Sequence, residues 1–264
     1  FNFSKIRPQG DKVKNVPRSA SGPVDFLRAY SAALAQILQG AKRQGANIAI
    51  LNADHPDIVD FITLKDQDGT IKNFNVSVGV SDAFMEAVVK NSSWRLSNPR
   101  NGEVWKVVKA RKLFGMICEH AWATGDPGLA FLDRMELDNP TPSLGKLEAT
   151  NPCGEIALLP YESCNLSSIC LQNHLKKTSK GYEIDWEDLE KTVKLGVRFL
   201  DDMIEVNTYA LREIEEMVKQ GNRRIGLGVM GFAHMLYILE IAYDSPEAVR
   251  LAERLSKFMR KKAE

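Results

Sequence analysis

Asn151-Pro152-Cys153-Gly154-Glu155, followed by Leu158-Leu159-Pro160-Tyr161-Glu162-Ser163-Cys164-Asn165-Leu166, is the stretch on which the reading of this chain turns. Pro152 and Gly154 oppose a helix, so the segment is expected as an extended strand end or a loop. In an extended chain, side chains at i, i+2 and i+4 point the same way. Asn151, Cys153 and Glu155 then share one face, an amide, a thiol and a carboxylate at intervals of roughly 6–7 Å. That spacing suits a small polar substrate placed over the thiol. A lone cysteine is most often a small buried hydrophobe, but a core strand has no use for polar neighbours at both i−2 and i+2. Cys153 therefore reads as a working thiol.

Cys164 can fold back toward Cys153 if Pro160 starts a return. The pair lacks the C-x-x-C spacing of a zinc site, and the chain has 4 histidines, so Cys164 reads as a redox thiol and no metal site is expected. Cys118-Glu119-His120 falls in an expected helix, where adjacent residues diverge, and Cys118 and Cys170 read as structural. Gly226-Leu227-Gly228-Val229-Met230-Gly231 fits the G-x-G-x-x-G pattern, but Gln220–Arg224 supply charge where a full strand should precede it. A tight strand-to-helix packing turn is favoured there, with an NAD-dependent dehydrogenase built on Gly226–Gly231 as the alternative. The loop Gly40–Ala46 sets Lys42 and Arg43 between glycines, which fits a nucleotide contact or a solvated turn equally. Lys12, Lys14 and Arg18 in the loop 8–21 are open to the same two readings.

The rest of the chain reads as scaffold. Its 264 residues suffice for a large α/β domain, and 44% hydrophobic with 26% charged residues is an ordinary globular balance. A net charge of +1 gives no footprint for nucleic acid or a membrane surface. No apolar run approaches the roughly 18 residues of a membrane span, and the N-terminus is not a signal peptide. The 4 cysteines do not form a disulfide framework, so a reducing cytoplasm is expected. The chain begins at Phe1 without a methionine and ends in an expected helix, as a piece of something longer would.

Residues 1–7 alternate as a short strand, and 8–21 read as a mobile loop broken by two prolines. A helix opens at Ser21-Gly22-Pro23, with Val24, Leu27, Leu34, Ile37 and Leu38 as its stripe and Gly40 as its end. Residues 47–51 and 74–78 are expected strands. Helices are expected after His55-Pro56-Asp57, after Ser81-Asp82, and over 104–121 through Val107, Leu113 and Ile117. A turn and strand follow at 124–131, and 132–150 read as loop. Asp185 is expected to cap a long helix with the stripe Leu189, Val193, Val197, Leu200 and Ile204. A short helix at 210–219, a glycine-rich strand-turn at 224–231, and a helix capped by Ser245-Pro246 complete the chain. Strands alternating with helices imply an α/β sheet of mostly parallel strands, without a linker between domains.

Asn151–Glu155 with LLPYESCNL resembles the active-site finger loop of the catalytic (large) subunit of ribonucleotide reductase, most like the class II, adenosylcobalamin-dependent type. QGAKRQGAN at 39–47, HPDIVDFI at 55–62, TGDPGLAFLDR at 124–134 and RRIGLGVMGFAHML at 223–236 match in order, so the resemblance covers essentially the whole chain. It implies the middle portion of a ten-stranded α/β barrel, two antiparallel halves of parallel strands around the finger loop at about 150–166. The whole of 1–264 would be one partial barrel domain, with the N- and C-terminal parts of the barrel outside it.

The resemblance also implies roles. Cys153 matches the cysteine that becomes a thiyl radical and removes the 3′ hydrogen of the ribose. Glu155 matches the base for the 3′-hydroxyl proton, Asn151 the amide holding the ribose hydroxyls, and Cys164 one member of the reducing dithiol. Gln39, Gly40, Lys42, Arg43 and Gly45 match the loop that reads the substrate base, and Arg7 and Lys12 the effector loop at 8–21. Leu38 stands where a lysine is frequent in that loop, and Gln44 where an arginine is. The implied function is reduction of ribonucleoside di- or triphosphates to deoxyribonucleotides, allosterically set by deoxynucleotide or ATP effectors. The implied cofactor is adenosylcobalamin, otherwise a radical-generating metal subunit. A thioredoxin-like reductant and a homodimer of the full-length enzyme are the implied partners. The partner of Cys164 is expected upstream of Phe1, so the chain alone is expected not to turn over. A non-catalytic nucleotide-binding module is the remaining alternative, and the joint presence of Asn151, Cys153, Glu155 and Cys164 argues against it.

Overall fold

The computed structural model describes residues 1–14, 19–39, 43–66 and 71–264, with the side chains of 38, 39, 43 and 44 outside the description. The chain divides into two compact units, Phe1–Pro160 and Tyr161–Glu264.

In the first unit, residues 1–7 are not a strand. Asn2 makes one bridge to Ile50, and Ser4 N is then captured by Asn2 Oδ1 at 2.9 Å, which turns the chain. Helix α1 (Pro23–Leu34) starts at its proline and buries Val24 and Leu27. It ends well before Gly40: Ile37 is exposed, and β1 (Leu38–Gln39) pairs antiparallel with β2 (Arg43–Gln44). Strand pairing takes the backbone groups that a continuing helix would need.

The apolar run reads correctly as β3 (Asn47–Asn52), buried along its middle. After the short helix α2 (Ile58–Ile62) comes β4 (Phe74–Val80), then α3 (Asp82–Lys90), whose first turn is capped by Ser81 Oγ accepting from Phe84 N at 3.1 Å. The expected helix over 104–121 is corrected. β5 (Ser93–Ser97) and β6 (Val104–Lys109) form an antiparallel hairpin, and only at Ala110 does α4 (Ala110–Thr124) begin. Val104, Val107 and Val108 are β-branched and find a pairing partner in β5. The helical period of Leu113 and Ile117 extends to Val107 by coincidence, and Val107 is exposed. β7 (Gly128–Phe131) follows, and α5 (Leu132–Leu137) occupies part of the expected loop. β8 (Ala149–Thr150) and β9 (Ala157–Leu158) make a short antiparallel hairpin.

β3, β4 and β7 form a parallel sheet in that order, with Ile48 opposite Asn75 and Ser77 opposite Gly128. Alternation sorts its two faces. Ala49, Leu51, Val76, Val78 and Val80 face the main core beneath the helices, with Phe61, Phe84 and Ile117. The other face carries Ile48, Ile50 and Ala130 packed on Met135 of α5 and Ala149 of β8, and with them Asn75, Ser77, Gly79 and Gly128.

In the second unit, β10 (Asn165–Cys170) emerges from the organising stretch and leads through a 3₁₀ turn, Leu171–His174, into the hairpin β11 (Leu175–Thr178) and β12 (Gly181–Ile184). Asp185 caps α6 (Trp186–Val206) by accepting from Asp188 N at 3.1 Å. The expected stripe holds: Leu189, Val193, Leu200 and Ile204 are buried. α7 (Arg212–Glu215) runs into a π-helical stretch, Glu216–Asn222, broken at Gly221. β13 (Ile225–Met230) pairs in parallel with β10, and α8 (Phe232–Ile238) and α9 (Pro246–Ala263) close the unit over Ile169, Leu171, Met235 and Leu255. Ser245 caps α9 as expected.

The glycines of 226–231 belong to this packing. Gly226 and Gly228 lie inside β13, and a Cβ on Gly226 would run into Leu166 of β10. Gly231, at φ +73, makes the turn into α8 against Gln172. A dinucleotide fingerprint needs its glycines after the strand, so this is a strand-to-helix packing turn. Among the described residues the fold is mixed α/β, with parallel strands in one three-stranded and one two-stranded sheet and no closed barrel.

Candidate active site

The expected extended face at Asn151–Glu155 is replaced by a turn. Gly154 N donates to Asn151 O at 3.0 Å, closing a β-turn with Asn, Pro, Cys and Gly at its four positions. Asparagine first, proline second and glycine fourth is the residue signature of a type I turn, a signal legible in the sequence. Two more bonds complete the hairpin end: Asn151 N to Ile156 O at 3.1 Å, and Ile156 N to Asn151 Oδ1 at 3.0 Å. Both Asn151 oxygens are thus spent inside the turn, and its side-chain NH₂ has no partner among the described residues. Gly154 sits at φ +85, where a side chain is strained.

This turn lifts Cys153 to an exposed position. It stands over a cleft of about 530 Å³ lined by Asn75, Ser77, Thr124, Asp126, Gly128 and Cys153 itself. The cleft exists because β4 and β7 present small residues on this face. A Cβ on Gly128 would stand 3.0 Å from Ser77 Oγ. Its floor is held by charge: Asp126 accepts from Lys65 Nζ at 2.6 Å and from Val76 N at 3.2 Å. Thr124 Oγ1 donates to Asp126 O at 2.9 Å. Asp126 is therefore a fixed wall. Asn75 Nδ2 donates to Pro152 O at 2.7 Å, tying the turn to the sheet. Glu155 follows Gly154 on the exposed flank of the turn.

Cys164 belongs to the second unit, half-buried just ahead of β10, its Sγ 3.7 Å from Asn165 O. Beside it Glu162 has a fully buried side chain, 2.7 Å from Arg224 Nε, and also accepts from Asn222 Nδ2. Cys170 is half-buried at the end of β10, whereas Cys118, read as structural, is exposed on α4.

Of the residues assigned to the effector and base-reading loops, Gly40, Lys42 and Arg18 lie outside the described residues. Gln39 and Arg43 face each other in the β1–β2 pairing, and Gly45 lies just beyond it. Arg7 Nη1 donates to Lys12 O at 2.8 Å, so it braces the first part of the loop at 8–21, residues 8–12. Lys12 bridges to Ser19, and its N–H is held by Asp11 Oδ1 at 2.8 Å. Asp11, buried and gripped by Arg100 at 2.8 and 2.9 Å, has its carboxyl held well below the usual carboxylate range by that guanidinium. Nearby, His55 Nδ1 accepts from Asp57 N at 3.1 Å, so its Nε2 donates to Ile6 O at 2.9 Å. Burial lowers the His55 pKa and raises that of Asp57.

Sequence reasoning missed Asn75, Ser77, Thr124, Asp126 and Glu162. Asn75 and Ser77 carried a signal in their strict alternation with buried Phe74, Val76 and Val78. The side-chain partners of Asp126 lie 50 and 61 positions away and those of Glu162 60 and 62, which no local pattern announces.

The family model described as ribonucleotide reductase, barrel domain, matches residues 1–263. The vitamin B12-dependent ribonucleoside-diphosphate reductase of Mycobacterium tuberculosis (strain CDC 1551 / Oshkosh) is 50% identical over 97% of this chain and 36% of its own length. The protein of the same name from Thermoplasma acidophilum is 45% identical over 98% of this chain and 33% of its own. The ribonucleoside-diphosphate reductase subunit alpha of Chlamydia trachomatis is 29% identical over 98% of this chain and 28% of its own. The chain thus spans about a third of the length of the relatives it matches.

Proposed function

Because the chain belongs to the ribonucleotide reductase barrel-domain family, we propose that it supplies the middle of the catalytic barrel of a vitamin B12-dependent ribonucleotide reductase. The observation that carries this reading is the turn that raises an exposed Cys153 over a polar, small-residue cleft on the sheet face that carries Asn75, Ser77 and Gly128. In this reading the sheets β3–β4–β7 and β10–β13 belong to a ten-stranded barrel that closes around the hairpin.

The higher-identity relatives are named vitamin B12-dependent, which supports adenosylcobalamin as the cofactor that would supply the radical Cys153 carries. The exposure of Cys153 fits that need, since the thiol has to be reached by both cofactor and substrate. As a thiyl radical, Cys153 takes the 3′ hydrogen of a bound ribonucleotide, re-forming its S–H and leaving a carbon-centred sugar radical. Glu155 accepts the 3′-hydroxyl proton, a transfer that needs a carboxylate within hydrogen-bond reach. The free NH₂ of Asn151 donates to a ribose hydroxyl. The 2′-hydroxyl departs as water, and a dithiol to which Cys164 contributes one sulfur supplies two electrons and is oxidised to a disulfide. Cys153 then returns its hydrogen to C3′. The strand pair β1–β2 and the braced loop at 8–21 are read as the base-reading and effector segments, the latter binding deoxynucleotides or ATP. A thioredoxin-like reductant and a homodimeric full-length enzyme complete the proposal.

The test is Cys153→Ser in the reductase that carries this chain, assayed with adenosylcobalamin and a dithiol. Deoxyribonucleotide formation is expected to fall by more than about 10³-fold with nucleotide binding retained, since serine cannot carry the radical. Surviving activity would overturn the assignment of Cys153.

A further inference from the structure

The hydrogen bond from Asn75 to Pro152 O has no task in the chemistry above. It joins residues 77 positions apart at 2.7 Å. The carbonyl it grips belongs to the peptide linking Pro152 to Cys153, the plane whose tilt aims the Cys153 side chain. The bonds from Gly154 N and Ile156 N to Asn151 set the inner shape of the turn but not its height over the sheet. The stem, β8 and β9 of two residues each, packs on this face at Ala149, four positions before Cys153, and leaves the Pro152–Cys153 peptide itself to Asn75. Asn75 by contrast is rooted in β4 between Phe74 and Val76, which are 1% and 2% exposed. Its side chain stands on the same face as Ser77 and Gly128, the floor of the cleft under the thiol.

We propose that Asn75 is a positioning residue, holding the Pro152–Cys153 peptide against the sheet so that Cys153 Sγ stands at one height over the cleft. The proposal rests on the reading of Cys153 as the hydrogen-abstracting thiol. Atom transfer is steep in distance, and a misplacement of about 1 Å is enough to cost on the order of 10²-fold in rate. An amide suits the place because Nδ2 donates to the carbonyl. A carboxylate there sets acceptor against acceptor unless it is protonated.

The experiment compares Asn75→Ala and Asn75→Asp with Asn2→Ala in the full reductase. Asn2 Nδ2 donates to Glu148 O at 2.6 Å, so its loss removes a bond of the same kind from the hairpin segment, together with the bond from Ser4 N, both away from the thiol peptide. Asn75→Ala is expected to lower kcat by about 10- to 100-fold with the nucleotide KM within about 3-fold. Asn2→Ala should leave kcat within about 3-fold. Hydrogen exchange at the Gly154 amide should quicken in Asn75→Ala and not in Asn2→Ala. Asn75→Asp should be as poor as Asn75→Ala at neutral pH and recover relative to wild type as pH falls toward about 4, where its carboxyl gains a proton. This arm stands even if the alanine variant folds poorly. A kcat near wild type for Asn75→Ala, equal losses in Asn75→Ala and Asn2→Ala, or a flat Asn75→Asp ratio with pH would each overturn the proposal. Activity surviving in Cys153→Ser would instead overturn the reading on which it rests.

Discussion

Cys153 and Cys164 are mounted in opposite ways. Cys153 rides on an exposed turn of asparagine, proline and glycine, closed by neutral hydrogen bonds from backbone and amide groups. Cys164 is half-buried, and the segment ahead of it is anchored by the fully buried Glu162 on Arg224 and Asn222. The first mount is local, so many small changes can shift its thiol by fractions of an ångström while the fold survives. The second is long-range and charged, and it either stays paired or leaves a buried charge without its counterion.

The largest expected effect therefore lies at the second mount. Glu162→Ala removes the fully buried carboxylate that Arg224 and Asn222 hold, and should destabilise the protein by about 3 kcal/mol, read as a shift in the urea midpoint. A loss no larger than that of an ordinary exposed salt bridge would show that the buried pair does not anchor the Cys164 segment. A smaller effect is expected at the first mount. Gly154→Ala meets no atom within 4 Å, so its cost is the backbone strain at φ +85 alone, about 1 kcal/mol. The same variant should cost activity out of proportion to that stability loss, because it moves the thiol.

The smallest effect separates the units by pH. Burial lowers the His55 pKa, so the unfolded chain takes up a proton there before the folded one does. Stability of the Phe1–Pro160 unit should then fall as pH drops below about 6.5, and His55→Gln should flatten that slope. Asp57, whose pKa is raised by burial, works the other way nearer its own range, where the folded state binds the proton first. Amide exchange in the two units across pH 7 to 5 would show whether the slope belongs to the unit that contains His55.

Much of the scaffold was legible because its causes are local. Ser81, Asp185 and Ser245 cap helices where the sequence placed them, since a cap needs only a side-chain oxygen and an amide three residues on. The stripe of α6 and the buried run of β3 follow from their periods. Failures cluster where a distant partner decides. Val104–Lys109 reads as helix until β5 is there to pair with it, and Leu38 leaves the helical stripe of α1 for a partner in β2. In the candidate site, residue types were legible and geometry was not. Asn151, Cys153 and Glu155 stand out as polar neighbours in a Pro/Gly segment expected as a strand end or loop, yet the order of Asn, Pro and Gly closes a turn instead of spreading them along one extended face.

The sequence by itself determined the chemical inventory, a thiol with an amide and a carboxylate beside it and a second thiol further on, together with the alternation of strands and helices and the caps that start them. These depend on residue identity and on spacings of a few positions. Tertiary structure alone decided that the turn carrying Cys153 stands over an open cleft, that Asn75 grips the peptide before the thiol, and that Glu162 is locked to Arg224. The cleft gathers residues from positions 75 to 153, and the two pairings join groups 77 and 62 positions apart, which only packing brings within hydrogen-bond reach.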